Sequence, residues 1–172
     1  MDKLNKTLDE YEGKREKYKP LKIKVLFVGE SRPVGNTFFY NENSRLYHHT
    51  KNAFEKANVN FSLKNFESLG CWLYDVCDEP VDNKTTSERK RLIKKGLPKL
   101  KENIEKLKPE YIIVVKKSDM KKIVFDNICN GIYKKDINAF NLSFPACGHQ
   151  NEYENELYDI ISKVNLDNDN IK

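Results

Sequence analysis

The chain has 172 residues, 38% of them hydrophobic and 11% aromatic, with a net charge of +5. This composition excludes a disordered chain, and at roughly 150 residues per domain the length indicates one domain. The longest apolar runs are about five residues, far short of the ~20 that cross a bilayer, so we expect no membrane-spanning segment. Because the first 20 residues are charged throughout, we expect no signal peptide and a cytoplasmic protein, nucleoid-associated in a prokaryote.

Apolar runs alternate with amphipathic segments along the chain, which predicts an alternation of strands and helices. The predicted strands are residues 23–28, 71–77, 111–115 and 139–142. The predicted helices are residues 44–57, a long helix beginning at Thr85, residues 119–128 and residues 152–164. A charged helix or arm over residues 1–20 precedes a domain of residues 21–165, and residues 166–172 form a polar tail.

The long helix has a start signal, an interruption and an unusual charge. Thr85 is followed three residues later by Glu88, a capping box that starts a helix. Gly96 and Pro98 interrupt the helical spacing and predict a kink. Residues 84–108 carry ten Lys or Arg and three Glu, a net charge of +7, which leaves −2 for the rest of the chain. The segment is either a surface for an anionic partner or a solvated helix face, and charge alone allows both.

Strands alternating with helices predict an α/β fold with three layers, α/β/α, around a four-stranded parallel sheet. Ligands of such folds bind beyond the carboxyl ends of the strands. Three loops leave predicted strand ends and carry unusual residues: 29–41, 78–86 and 143–150. We expect the functional site where these loops converge.

Two carboxylates and an aromatic run are the main candidates for chemistry. Glu30 directly follows the first strand, where a carboxylate either orients a water or caps the amides of a turn. Asp75 lies in an otherwise apolar strand, and a buried carboxylate is costly unless it is paired. Phe38, Phe39 and Tyr40 are consecutive, so they cannot all face one core. At least one of them is expected to be exposed or to line a cleft, where a ring can stack on a base.

Several catalytic motifs are missing. The chain has no GxxxxGK[ST] or GxGxxG loop, no zinc spacing and no G-x-S-x-G elbow. The four cysteines show no CxxC spacing, so we expect reduced thiols, no metal and no cofactor. His48 and His49 are expected at the surface. His149 either donates to an anionic or leaving group or caps the helix that follows it.

Four stretches, taken in order, carry a family resemblance. They are VLFVGESRP, TFFYNENSRLYHHTKNAF, WLYDVCDEPVDNKTTSERKRLIKKGLPKLKENIEKLKPEYIIVV and LSFPACGHQNEYENELYDII. Their order and spacing resemble the uracil-DNA glycosylase superfamily, and most of all its family 4, in which an apolar strand is followed by Gly-Glu-Ala-Pro-Gly. The third stretch is the longest and most specific match.

The resemblance implies a monomeric, monofunctional glycosylase that flips a base out of single- or double-stranded DNA in base excision repair. The implied catalytic residues are Glu30, which positions or activates water, together with Asp75 and His149. The implied base-binding residues are Gly29, Phe39, which stacks on the extruded base, and Asp75, which reads it. The implied DNA-binding residues are Arg32, Asn83, Lys84, Pro145, Gly148 and Gln150.

The chain also departs from the family. Phe144 stands where the family has a histidine, and the cysteines that hold the family's iron–sulfur cluster are absent apart from Cys77. Asp75 stands where the family has an asparagine, and a carboxylate suits a base with an exocyclic amine or protonated ring nitrogen better than uracil. Three functions therefore stay open: a glycosylase for a damaged or deaminated base, a non-catalytic relative that binds nucleic acid or a nucleobase, and a small-molecule enzyme on an unrelated fold.

Overall fold

The computed structural model describes residues 3–132, 138–164 and 166. The helices are α1 (Lys3–Lys17), α2 (Arg45–Lys56), α3 (Leu63–Ser68), α4 (Thr86–Leu107) and α5 (Gln150–Lys163). The strands are β1 (Val25–Ser31), β2 (Cys71–Cys77), β3 (Tyr111–Val115) and β4 (Asn138–Leu142). A 3-10 turn covers Phe39–Asn41, and two π-helical segments cover Lys121–Phe125 and Ile128–Ile132.

The four strands form one parallel sheet in the order β2-β1-β3-β4. The strands are short apolar runs, and β2 is buried along its whole length, as expected for a parallel sheet covered on both faces. The chain crosses from β2 over β1 to β3, so the strand order reverses between β1 and β3. The predicted three-layer α/β/α fold is confirmed.

The residue alternation of the strands assigns the helices to two layers. Phe27 packs against Phe66 of α3, which in turn packs against Phe54 of α2, and α2 is joined to α5 by a hydrogen bond between Thr50 and Tyr153. Val76 points to the opposite face of the sheet, because side chains alternate along a strand. There it meets α4. In the residues described, no helix has the length and hydropathy needed to cross a membrane.

Helix α4 confirms its start signal. Thr85 and Glu88 form the predicted capping box, and the helix continues unbroken through Gly96 and Pro98. Gly96 has a packing role, because a Cβ atom at this position would lie 2.0 Å from the Val76 carbonyl oxygen. The glycine therefore lets the helix approach the edge strand closely.

Two local expectations differ from the structure. Helix α3 is not predicted, because its six residues are too short to show a helical period; it is started by Ser62, whose side chain accepts from the Asn65 amide. The helix predicted over residues 119–128 is largely replaced by the two π-helical segments. The predicted polar tail lies outside the described residues apart from Leu166.

Helix α1 packs along the outer edge of β2. Tyr11 and Arg15 are buried, Tyr18 stacks on Tyr40 with ring centroids 6.0 Å apart, and the Trp72 indole donates to the Arg15 carbonyl at 3.2 Å. The charged N-terminal segment is thus a helix that covers a sheet edge, which would otherwise expose unpaired backbone groups.

Candidate active site

A cavity of about 310 Å³ opens at the carboxyl ends of β1 and β3. This is where the strand order reverses, the usual ligand site of open parallel sheets. Its wall includes residues 29–33 and 37–39 of the first predicted loop, Asp82 of the second and Phe144 of the third. The three loops therefore converge as predicted.

The Glu30 carboxylate is bound in the cavity by two cationic side chains. Its carboxylate accepts from the Arg89 guanidinium, at 3.2 Å from Nε and 2.7 Å from Nη2, and also from the Lys116 ammonium. Only 12% of the Glu30 side chain is exposed. The hydrogen bonds to Glu30 are the main cause that raises the pKa of Arg89 above its ordinary value. One carboxylate and two cations thus lie together at the carboxyl ends of β1 and β3, where the strand order reverses.

Different elements supply the two cations. Arg89 lies in the first turn of α4, where the capping box at Thr85 begins the helix beside the cavity. Lys116 follows β3 directly and has a left-handed backbone with φ of 84°, a conformation that costs about 1–3 kcal/mol outside glycine. Its amide donates to the Leu142 carbonyl at 2.8 Å, which holds it in place. Sequence patterns single out neither cation, although Lys116 directly follows β3; Glu30 lies at the end of β1, which continues to Ser31, beyond the predicted strand of residues 23–28.

Asp75 is buried and paired. Its Oδ2 accepts from Arg15 Nη2 of α1 at 3.0 Å, and its Oδ1 lies 2.3 Å from the place that a Gly29 Cβ would occupy. Burial raises the pKa of Asp75, and the Arg15 charge opposes that rise. The expectation that a buried carboxylate here needs a partner is confirmed, and the partner comes from the N-terminal helix.

The three consecutive aromatic residues are all buried. Phe38 and Phe39 line the cavity, so the expectation that at least one lines a cleft is confirmed. Phe39 also packs edge-on against Tyr47, which leaves it little freedom. Tyr40 points elsewhere: its hydroxyl donates to the Leu73 carbonyl at 3.0 Å and accepts from the Leu73 amide at 2.8 Å. It therefore satisfies backbone groups at the outer edge of β2.

The other predicted site residues are divided between the cavity and its surroundings. Gly29 and Arg32 line the cavity. The following predicted residues do not line it: Asn83, Lys84, Pro145, Gly148, His149 and Gln150. Their assigned roles in DNA binding and catalysis stay predictions.

Neither His49 nor His149 lines the cavity. His149 has a side chain that is 60% exposed, and its ring binds Glu152 at 2.8 Å rather than the helix amides. His49, expected at the surface, is partly buried and binds Glu154 at 2.6 Å across α2 and α5. Phe144 is 39% exposed at the cavity rim.

Two of the four cysteines, Cys71 and Cys77, are buried and lie too far apart to ligate one metal centre. Cys71 and Cys77 occupy opposite ends of β2, and burial raises the pKa of both thiols, that of Cys77 to about 12. Cluster ligands are thiolates. Over the described part of the chain, no three His, Cys, Asp or Glu side chains are grouped to hold a metal ion.

No model of a known protein family matches the chain, and a comparison with curated proteins gives no match. The function is therefore argued from the cavity. Four cationic side chains and three carboxylates line it: Arg32, Arg45, Arg89 and Lys116, with Glu30, Asp75 and Asp82. The cavity thus combines apolar aromatic walls with a few convergent charges, which is typical of a site for a small polar ligand.

Proposed function

We propose that this protein is a DNA base glycosylase of the uracil-DNA glycosylase type, acting on a damaged or deaminated base in base excision repair. The observation that carries the proposal is the Glu30 carboxylate, held at the end of β1 by Arg89 and Lys116 inside a cavity walled by Phe38 and Phe39. The sequence resemblance assigns the water-positioning role to the same glutamate.

The charges suit the cleavage of an N-glycosidic bond. The bond breaks with positive charge developing on the sugar and negative charge developing on the departing base. Glu30 supplies a carboxylate for the sugar and for the attacking water, whose hydroxide part joins the sugar carbon while its remaining proton goes to the base. Arg89 and Lys116 supply donors for the departing base, a role for which the family uses a histidine.

The walls suit a single base. At about 310 Å³ the cavity is at the small end of ligand pockets, which begin near 300 Å³. Phe39 lines it beside Gly29, where a stacked ring would lie next to β1. Asp75 lines the cavity with its Oδ2 bound to Arg15, and its Oδ1 provides an acceptor atom to the edge of the base. This supports a base with an exocyclic amine or a protonated ring nitrogen over uracil.

The decisive experiment is a panel of single-stranded and duplex oligonucleotides bearing uracil, hypoxanthine, xanthine, mismatched thymine or an alkylated base. Abasic sites are scored by alkali cleavage. We expect at least one substrate to be cleaved and Glu30→Gln to lower the rate about 10²–10⁴-fold, the usual contribution of a positioned acid or base. Asp75→Asn is expected to change which base is preferred.

The matched control is Glu110→Gln, which removes an exposed carboxylate that pairs with Lys22. We expect it to leave the rate unchanged. No product from any substrate, with DNA binding intact, would overturn the enzymatic proposal.

One observation favours a second candidate, a non-catalytic relative that binds nucleic acid or a nucleobase. Glu30 is bound by two cations, and no histidine is among the residues that line the cavity. In this case the charge cluster organises the site without activating water. Binding of the oligonucleotides that is equal for the unaltered protein and Glu30→Gln, together with absent cleavage, would favour it.

A further inference from the structure

Arg32 is a buried cation whose side chain has no hydrogen-bond or ion-pair partner among the described residues. Among the described residues two arginines are buried, Arg15 and Arg32. Arg15 is bound to Glu12 and Asp75. Arg32 is only 7% exposed, makes no hydrogen bond or ion pair to any described residue, and has an Nε that is buried with no partner. A buried, unpaired charge is strongly unfavourable, and Arg32 lines the cavity, so we expect a ligand in the cavity to supply the partner that the described residues do not.

The position of Arg32 is built by the N-terminal helix. Its guanidinium carbon lies 4.4 Å from the centre of the Tyr11 ring. The Tyr11 hydroxyl donates to the Gly35 carbonyl at 2.6 Å, and the ring meets Phe38 edge-on at 4.8 Å. Tyr11 is therefore fixed on two sides and offers one face to Arg32, which holds the planar group in one orientation.

None of the carboxylates that line the cavity forms an ion pair with Arg32, although the Arg32 charge acts on Asp75 and opposes the rise of its pKa. Asp75 is bound to Arg15, and Glu30 is bound to Arg89 and Lys116. Asp82 accepts from the Val34 amide at 2.9 Å. The donors of Arg32 are thus left for a ligand, and a guanidinium fork fits the oxygens of a phosphate.

We propose that Arg32, seated on Tyr11, is an anion subsite that binds the phosphate of the nucleotide whose base enters the cavity. The inference rests on the proposed function for the base, and adds a phosphate group as a recognised part of the substrate. Because Arg32 is buried in the cavity wall, it binds a phosphate that enters with the base, not one that stays on the protein surface. That phosphate belongs either to a free mononucleotide or to a DNA strand.

Calorimetric titration separates these sources. The probes are deoxynucleoside 5′-monophosphates, dUMP included, the matching deoxynucleosides, and a short single strand with one tetrahydrofuran abasic site. We expect a phosphate-bearing probe to bind the unaltered protein more tightly than its phosphate-free counterpart. Arg32→Met should weaken that binding about ten- to a hundredfold, the range for a lost hydrogen bond to a charged group. The class of probe that shows this loss identifies the source.

The control is Lys64→Met, because Lys64 is an exposed cation of α3 that pairs with Glu67 and does not line the cavity. It removes the same charge and should weaken binding less than about threefold, as for a screened charge. Arg32→Lys keeps the charge and loses the planar guanidinium, so its loss of affinity should lie between those of Arg32→Met and the control. It replaces Arg32→Met if that variant does not fold.

Equal losses for the Arg32 and Lys64 variants, equal affinity for monophosphates and nucleosides, or no binding of any probe would overturn the subsite. Arg32-dependent phosphate binding by a protein that excises no base would overturn the proposed function and leave the subsite standing. Base excision together with phosphate binding that Arg32→Met leaves unchanged would overturn the subsite and leave the proposed function standing.

Discussion

Arg89 binds both carboxylate oxygens of Glu30, at 3.2 Å and 2.7 Å, although 59 residues separate the two in the chain. The pair joins the carboxyl end of β1 to the first turn of α4. This fixes the carboxylate in a cavity that Phe38 and Phe39 also line. A charge held so rigidly needs little reorganisation during a reaction, which is the main source of electrostatic catalysis.

Arg89→Met should therefore lower the rate of base release about 10²–10³-fold, the usual effect of removing one preorganised donor. Single-turnover cleavage of the best oligonucleotide measures it. Lys90→Met is the control, since Lys90 is the next residue of α4 and pairs with Asp119 away from Glu30. Equal rates for the two variants would show that Arg89 has no part in the reaction.

The buried pair of Arg15 and Asp75 should dominate the stability of the N-terminal region. Arg15→Met leaves a buried carboxylate unpaired and should lower the free energy of unfolding by about 3–5 kcal/mol at pH 8. Urea denaturation measures this loss. Lys14→Met, which removes an exposed contact to Asn41, should change it by less than about 0.5 kcal/mol.

The loss in Arg15→Met should also depend on pH. Burial raises the pKa of Asp75 in the folded protein, so the folded state binds a proton more readily than the unfolded state, and stability from this group falls as pH rises from the unfolded pKa through the folded one. Without Arg15 the folded pKa rises further. The destabilisation should be smaller at pH 5 than at pH 8, and a loss independent of pH would contradict this account.

Gly29→Ala tests the close contact between the first strand and Asp75. Its Cβ would lie 2.3 Å from Asp75 Oδ1, so we expect a loss of about 1–3 kcal/mol from overpacking. Adding Asp75→Ser removes the close contact but leaves Arg15 without its buried partner, so the double variant should be less stable than Gly29→Ala alone. Gly13→Ala is the matched control: its Cβ meets nothing within 4 Å in helix α1, and it should stabilise the protein by about 0.5–1 kcal/mol. Thermal denaturation of all four proteins distinguishes these outcomes.

The basic segment gives a separate prediction for DNA binding. Lys94 and Lys95 are exposed on α4, and Lys99 has only an exposed contact with Asp78. Replacing all three with Gln should weaken duplex binding and reduce the salt dependence of log K by up to about 0.9 per lost phosphate contact. Fluorescence anisotropy over a range of salt measures this slope.

The control for this prediction is the corresponding triple Gln variant at Lys51, Lys56 and Lys64, which changes the net charge equally on α2 and α3. We expect it to keep the slope of the unaltered protein. If both triple variants lower the slope equally, the basic segment of α4 is only a solvated helix face.

Much of the fold follows from local sequence patterns. The cores of β1, β2 and β3 are short apolar runs, the capping box of Thr85 and Glu88 starts α4, and the polar residues at the ends of the strands identify the end of the sheet where the cavity lies. Such signals span a few neighbouring residues, so they can be read without knowing the fold. Helix α3 and the π-helical segments escape the same reading because they are too short or too irregular to show a period.

By itself the sequence determined the α/β class, the parallel sheet, and Glu30 and Asp75 as the carboxylates to examine. Only the tertiary structure decided which residues are partners. Glu30 binds Arg89, Asp75 binds Arg15, and the Arg32 guanidinium packs on the Tyr11 ring. Arg15 lies 60 residues from Asp75, and Lys116 lies 86 residues from Glu30. Periodicity reports which face of an element is buried, whereas the partner of a buried charge depends on how separate elements pack, a property that no local pattern contains.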